Sequence, residues 1–251
     1  MNEKQPTVVL VHGAFAESAS WNGVIERLHG HSITSVAVAN PLRSLHGDAA
    51  YVRDVIASLD TPVVLAAHSY GGMVITEAAA ENPSVVALVY AAAFVPDSGQ
   101  SAFELSTTAP GSTLGEALNA YPVSSGGNEL AIRRDMFPHQ FAADVPAKEA
   151  GLMGATQRPV TEAALSEGLP TASPAWRSIP SWHVFGDADL NIPVAVHRAG
   201  AQRAASRGVT EIAGASHAIT VSQPDAVTAT ILQAVETVAS QDLGRHEAAI
   251  A

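Results

Sequence analysis

Six consecutive residues, Ala67-His68-Ser69-Tyr70-Gly71-Gly72, place a serine where a nucleophile is needed. They join the apolar run from Val63 to Ala67, which reads as a buried strand, directly to an Ala-rich helical stretch from Gly71 to Glu81. So tight a strand-to-helix turn strains the backbone of its central residue and presents the hydroxyl. The positions two residues to either side must be small, because the two backbones crowd there. The usual spelling is Gly-x-Ser-x-Gly, and Ala67 stands for the first glycine. A serine hydroxyl is a weak nucleophile until a base takes its proton. The rest of the chain must therefore supply a base and an acid to orient it.

Ten histidines are available as the base. In strand-helix architectures with such a turn, the order is Ser, then acid, then His. His217 lies in Gly214-Ala215-Ser216-His217, between the last expected strand and the last expected helix, on the same edge of the sheet as Ser69. His183 falls inside a strand and reads as a packed residue, and His197 falls on a helix. His29, His31 and His46 precede the serine. His139 stays open as a rival base.

The acid should follow the penultimate strand, where Phe185-Gly186-Asp187-Ala188-Asp189 offers two carboxylates. Asp187, directly after Gly186, reads as a turn former bonding nearby amides. Asp189 is the preferred acid, holding the His217 tautomer and stabilising its imidazolium. An oxyanion needs two convergent backbone amides. Tyr70, at the start of a helix, has a free N–H aided by the helix dipole. Ala14, in the loop His12-Gly13-Ala14-Phe15 after the first strand, is nominated for the second. His12 itself reads as a buried turn residue. His29-x-His31 has no third ligand in its helix-end segment, and no metal or cofactor is expected.

These residues must sit at the ends of parallel strands. Thr7 to Val11 is short, apolar and β-branched, as in a strand buried on both faces. Trp21, Val24, Ile25 and Leu28 make an amphipathic helix stripe ended by Gly30. Ile33 to Ala39 is a second strand. Val52, Val55, Ile56 and Leu59 mark a second helix with Asp48 as its expected N-cap. Val85 to Ala91, Trp182 to Phe185 and Val209 to Ile212 read as further strands, and Val194 to Ala205 as a helix. The last helix begins at Pro224, a residue suited to the first helical position, and is expected to end near Ser240. Residues 241–251 lack a periodic face and are expected to fray.

Strands alternating with helices imply a parallel sheet covered on both sides. The alternation stops over 97–179, which is rich in proline yet carries Phe103, Leu114, Tyr121, Met136, Phe137, Phe141, Met153 and Trp176. That is too apolar for a linker. It is expected to be a cap inserted into a core made of 1–96 and 180–251, with Gly126-Gly127 turning a hairpin. Phe15, Phe103, Phe137 and Trp176 are expected as pocket walls.

Composition narrows the function classes. The 251 residues are 47% hydrophobic and 15% charged, enough apolar material for one large core. A formal net charge of −11 disfavours nucleic acids and anionic membrane surfaces. No cysteine is present, which excludes a thiolate nucleophile and thiolate metal sites. With no signal-like or membrane-spanning stretch, a cytoplasmic protein is expected; the oligomeric state is left open.

Taken together, the chain resembles the α/β-hydrolase fold, and within it the compact branch of methyl esterases and hydroxynitrile lyases. The resemblance rests on Val9-Leu10-Val11-His12-Gly13-Ala14 with Ser20-Trp21, and on Ala67-His68-Ser69-Tyr70-Gly71-Gly72. It extends to Asp189-x-x-Ile192-Pro193 and to Gly214-Ala215-Ser216-His217 with Gln223-Pro224. It implies a mostly parallel sheet of about six strands with an inserted helical cap. It also implies a serine hydrolase of small esters or lactones. The lyases of this branch resemble one another in carrying Thr after the first-loop His and Lys after the catalytic His. Here those positions are Gly13 and Ala218, which shifts the reading to ester hydrolysis. A lyase, a cofactor-free perhydrolase and a non-enzymatic small-molecule receptor remain the alternatives.

Overall fold

A computed structural model describes residues 5–124 and 126–250, with side chains as far as Ser240. The strands are β1 (Thr7–Val11), β2 (Ser35–Val38), β3 (Val63–His68), β4 (Val85–Ala91), β5 (Leu118–Pro122), β6 (Asn128–Ile132), β7 (Val160–Thr161), β8 (Ser181–Gly186) and β9 (Gly208–Ile212). The helices are α1 (Asn22–Gly30), α2 (Leu45–Ala57), α3 (Gly71–Ala78), α4 (Ala102–Ser106), α5 (Leu114–Ala117), α6 (Phe137–Gln140), α7 (Ala147–Thr156), α8 (Glu162–Ser166), α9 (Val194–Arg203), α10 (Ile219–Ser222) and α11 (Pro224–Ile250).

Six strands form one sheet in the order β2-β1-β3-β4-β8-β9, and every neighbouring pair is parallel. Successive side chains on a strand point to opposite faces, and the core divides accordingly. Val8 and Leu10 pack with Trp21, Leu28, Val64, Val89, Trp182 and Ile231 on the side of α1 and α11. Val9 and Val11 pack with Leu45, Ile56, Leu65, Met73 and Tyr90 on the side of α2 and α3. Every residue of β1, β3 and β8 is buried, and burial on both faces is why Val8 to Val11 and Val63 to Ala67 run apolar without alternation; Ser181 and His183 in β8 and His68 at the end of β3 are buried polar exceptions.

Between β4 and β8 the chain forms α4 to α8 together with a three-stranded antiparallel sheet, β5-β6-β7. The β5–β6 hairpin turns through Gly126 and Gly127, both at positive φ, where glycine is unstrained. Leu130, Ile132, Phe137, Phe141 and Leu165 from this segment belong to the same buried cluster as Val9 and Leu65. The segment is thus packed onto the sheet side that carries α2 and α3. No helix among the described residues is long and apolar enough to cross a membrane.

Two local expectations are corrected. Ser44, and not Asp48, caps α2: its hydroxyl accepts the Gly47 amide, whereas Asp48 lies one turn inside and is fully buried. Asp48 is held there by the Arg43 amide at 3.0 Å and the Tyr70 hydroxyl at 3.0 Å. Secondly, α11 does not end near Ser240 but continues to Ile250. Gln, Leu, Arg, Glu and Ala are good helix formers, so a helix already begun at Pro224 propagates without an apolar face to guide it.

Candidate active site

Ser69 sits between β3 and α3 with φ +55°, the left-handed region that a β-carbon resists. The turn is locked by backbone bonds: the Ser69 amide donates to Ala92 O at 3.2 Å, and the Phe94 and Gly72 amides donate to Ser69 O. Small neighbours are compulsory. A β-carbon on Gly72 would lie 2.1 Å from Phe94 O, and one on Gly71 would lie 2.6 Å from Val11 O. At Gly13 it would lie 2.5 Å from the Ser69 β-carbon. The glycine after His12 is therefore part of how the serine fits.

The Ser69 hydroxyl lies 2.9 Å from His217 Nε2, and His217 Nδ1 lies 2.7 Å from Asp189 Oδ2. All three residues are buried: 7% of Ser69 is exposed, 1% of His217 and 5% of Asp189. A carboxylate only accepts, so Nδ1 of His217 carries the proton and Nε2 is free to take one from the serine. Asp189 Oδ1 accepts the Asn191 and Ile192 amides at 2.8 and 2.9 Å, so the turn Asp-x-Asn-Ile that follows β8 orients its own acid. Burial pushes the Asp189 carboxyl up. The His217 and His197 imidazoles outweigh this and hold it well below the usual carboxylate range.

His217 is positioned by its loop and by the inserted segment. Gly214 turns the chain at φ +74°, and its amide donates to Asp187 Oδ1 at 2.6 Å. Asp187 is thus a turn residue and stands apart from His217. The Phe141 carbonyl, at the end of α6, accepts the Ala218 amide at 3.0 Å and the Ser216 hydroxyl at 3.3 Å. The Phe141 ring meets the His217 ring edge-on at 4.9 Å. Ser216 also donates to Asp144. His139, the rival base, is exposed on α6. His12 and His68 are buried beside the site and kept uncharged: burial drives His12 down to about 4 and His68 down to about 3. His183 is likewise buried in β8, stacked on Tyr90 and pushed down to about 3 by burial.

Tyr70 is the N-cap residue of α3, and Ala14 follows β1 across from it. Among the described residues, neither amide has a hydrogen-bond acceptor. Both residues line a cavity of about 30 Å³ together with Ser69 and His217. Its other walls are Phe15, Phe94, Ala102, Phe103, Ser106, Leu114, Leu165, Asn191 and Ile192. Among the described residues, no Lys, Arg, Asp or Glu lines it. Phe15 and Phe103 stand where the sequence reading expects them, but Phe137 and Trp176 do not line this space. Phe137 is fully buried and stacked on Phe141, filling the body of the inserted segment. Trp176 turns away to donate its indole N–H to Pro96 O at 2.7 Å. No group of three or more metal-ligating side chains occurs among the described residues, and His29 and His31 are exposed.

The fold that carries these residues is shared with known proteins. The family model for alpha/beta hydrolases matches residues 8–230. The chain belongs to the alpha/beta hydrolase family. Alpha/beta hydrolase nvfD of Aspergillus novofumigatus (strain IBT 16806) is 26% identical to this hydrolase over 247 residues, covering 89% of this chain and 94% of its own. Polyneuridine aldehyde esterase superposes with a TM-score of 0.77 at 21% identity, over 92% of this chain and 99% of its own. Methylesterase MES16 from Arabidopsis superposes with a TM-score of 0.76 at 17% identity, over the same shares. Both of these esterases share the fold of this hydrolase.

Sequence reasoning missed His197, Phe141, Asn191 and most of the aliphatic walls. His197 Nε2 lies 3.0 Å from Asp189 Oδ2, from one turn inside α9. Its position eight residues after Asp189 carried no pattern that could have revealed this.

Proposed function

We propose that this chain is a serine esterase that hydrolyses small, uncharged carboxylic esters or lactones through an acyl-enzyme. The reading is carried by the continuous hydrogen-bonded path from Ser69 Oγ through His217 to Asp189. Ser69 Oγ attacks the ester carbonyl while His217 Nε2 takes its proton. The oxyanion of the tetrahedral intermediate is held by the Ala14 and Tyr70 amides, which carry no other acceptor. When the C–O bond breaks, His217 returns its proton to the departing alcohol and Ser69 is left acylated. A water then attacks the acyl carbon and gives a proton to His217. As the acid leaves, that proton returns to Ser69 Oγ. Asp189 stays ionised throughout and stabilises the imidazolium of each half-reaction.

The walls support the substrate class. A narrow cavity lined by Phe15, Phe94, Phe103, Leu114, Leu165 and Ile192 favours a short apolar acyl or alkyl group, and the lack of charged lining disfavours anionic substrates. The 97–179 segment, which supplies Ala102, Phe103, Ser106, Leu114 and Leu165, acts in this reading as the cap that excludes water. Ala218 offers no cation to a departing cyanide, and Gly13 leaves no room for a lyase-type Thr beside Ser69.

A panel of chromogenic esters graded by acyl length, turned over by wild type and Ser69→Ala, tests this. Short acyl esters should be preferred, and Ser69→Ala should lower kcat/KM roughly a thousandfold or more. A loss under about tenfold would show that another group is the nucleophile.

A further inference from the structure

Asp189 makes four hydrogen bonds, and the fourth has no place in the catalytic cycle just described. Oδ1 accepts two amides, from Asn191 and Ile192. Oδ2 accepts two imidazoles: His217 Nδ1 at 2.7 Å and His197 Nε2 at 3.0 Å. His197 is 3% exposed, lies within α9, and stacks on Phe185 at 5.0 Å with the rings 15° apart. It has no hydrogen bond to Ser69, whose hydroxyl is met by His217.

We propose that His197 is a positioning residue of the esterase: by donating Nε2–H to the oxygen that holds His217, it sets how strongly Asp189 stabilises the His217 imidazolium. The proposal rests on the serine-esterase reading. Its logic is a competition for one oxygen. A carboxylate oxygen has two acceptor sites, and a second donor on it withdraws charge from the first. With His197 in place, Asp189 is rigid and saturated, but its charge is divided between two rings. Without it, His217 receives the whole of Oδ2, and its protonated form becomes more favourable. The other titratable groups packed around this pair are His68 from β3 and His183 from β8, both buried and uncharged. Arg198, the next residue on α9, is turned outward to Glu211 at 2.9 Å.

The test is the pH dependence of kcat/KM on a short chromogenic ester, for wild type, His197→Phe, His197→Asn, His197→Gln and His183→Phe. His197→Phe keeps the stack on Phe185 and removes the donor, and His197→Asn is too short to reach Oδ2. In either variant the acid limb should move to higher pH by about one unit, the value of a charge-assisted hydrogen bond in this setting. His197→Gln, which can still donate from its terminal amide, should restore the wild-type limb. His183→Phe should leave it in place. A role in packing alone would lower stability without moving the limb. Long-range ¹H–¹⁵N spectra of the wild-type protein need no variant, and should show the His197 proton on Nε2.

A His197 resonance protonated only on Nδ1 overturns the proposal. So does an unmoved acid limb in a folded His197→Phe or His197→Asn protein. Either result leaves the esterase reading standing if Ser69→Ala is inactive. If Ser69→Ala keeps its activity, the esterase reading has failed first.

Discussion

His68 Nε2 lies 2.9 Å from the carbonyl oxygen of His217, so the residue before the serine holds the backbone of the residue that faces it. A carbonyl only accepts, so His68 carries its proton on Nε2. The rings are 4.7 Å apart, and burial keeps His68 uncharged. The turn that carries Ser69 and the loop that carries His217 are thereby fastened to each other as well as to the sheet.

His68→Phe should test that fastening. It fills the space but leaves a buried carbonyl without its donor, costing about 1–3 kcal/mol of stability. Release of the His217 loop should lower kcat at least about tenfold, because small misplacements of reacting groups are costly. Urea unfolding and steady-state kinetics measure the two effects. A stable variant with wild-type kcat would contradict the link.

Asp189→Asn should be more damaging than loss of a charge suggests. Oδ1 faces two amide N–H groups and must remain an oxygen, so the new NH₂ is forced toward His217 and His197. His217 must then adopt the wrong tautomer, with its proton on Nε2 against Ser69. A fall in kcat of roughly 10⁴ is expected near neutral pH. Recovery of substantial activity in this variant would remove Asp189 from the account.

Gly13→Ala probes the space beside the nucleophile. The added carbon would lie 2.5 Å from the Ser69 β-carbon and 2.8 Å from His68 O, so the turn must shift. Overpacking of this kind costs about 1–3 kcal/mol, and displacing the hydroxyl should lower kcat/KM about a hundredfold. Thermal unfolding and ester turnover check both. An unchanged rate would mean that the fit at Gly13 is not part of catalysis.

The buried histidines make the fold acid-sensitive. His12, His68 and His183 are held at about 4, 3 and 3, against an ordinary value of 6.5, chiefly by burial. In each case the folded state binds fewer protons than the unfolded chain, so stability rises with pH across this window. Their contribution is whole above pH 6.5 and is lost as pH falls toward 3 or 4. Asp189, held low, keeps its own contribution until well below the ordinary carboxylate range. Between pH 7 and pH 5 the loss is on the order of 2 kcal/mol per histidine. Urea midpoints across that range measure it, and His183→Phe should flatten the slope by roughly a third. A slope that does not change would show that His183 is not uncharged in the fold.

Much of the architecture was legible because it rests on short-range patterns. The β-branched runs at Val8 to Val11 and Val63 to Ala67 could form buried strands, and the punctuation around them located the turns. Ser69, Asp189 and His217 stand out for the same reason, since each closely follows a strand: Ser69 follows β3, Asp189 β8 and His217 β9. What escaped depends on packing between distant elements. Oδ2 of Asp189 meets His197 only because α9 lies against β8 with Phe185 under the imidazole ring. Phe137 and Trp176 were as apolar as Phe103, but the inserted segment has its own interior and Phe137 fills it. Asp48 resembled an N-cap in a run of polar residues. Ser44 takes that place because the chain is still extended there.

The central claim is that Ser69 is the nucleophile, and covalent labelling tests it most directly. The folded protein is treated with a fluorophosphonate, its mass and ester turnover are followed together, and the adduct is located by peptide mapping. The account predicts one phosphonyl group per chain, on Ser69, gained in step with the loss of turnover, and no labelling of Ser69→Ala. Inactivation with the adduct on another residue and Ser69 unmodified would contradict it.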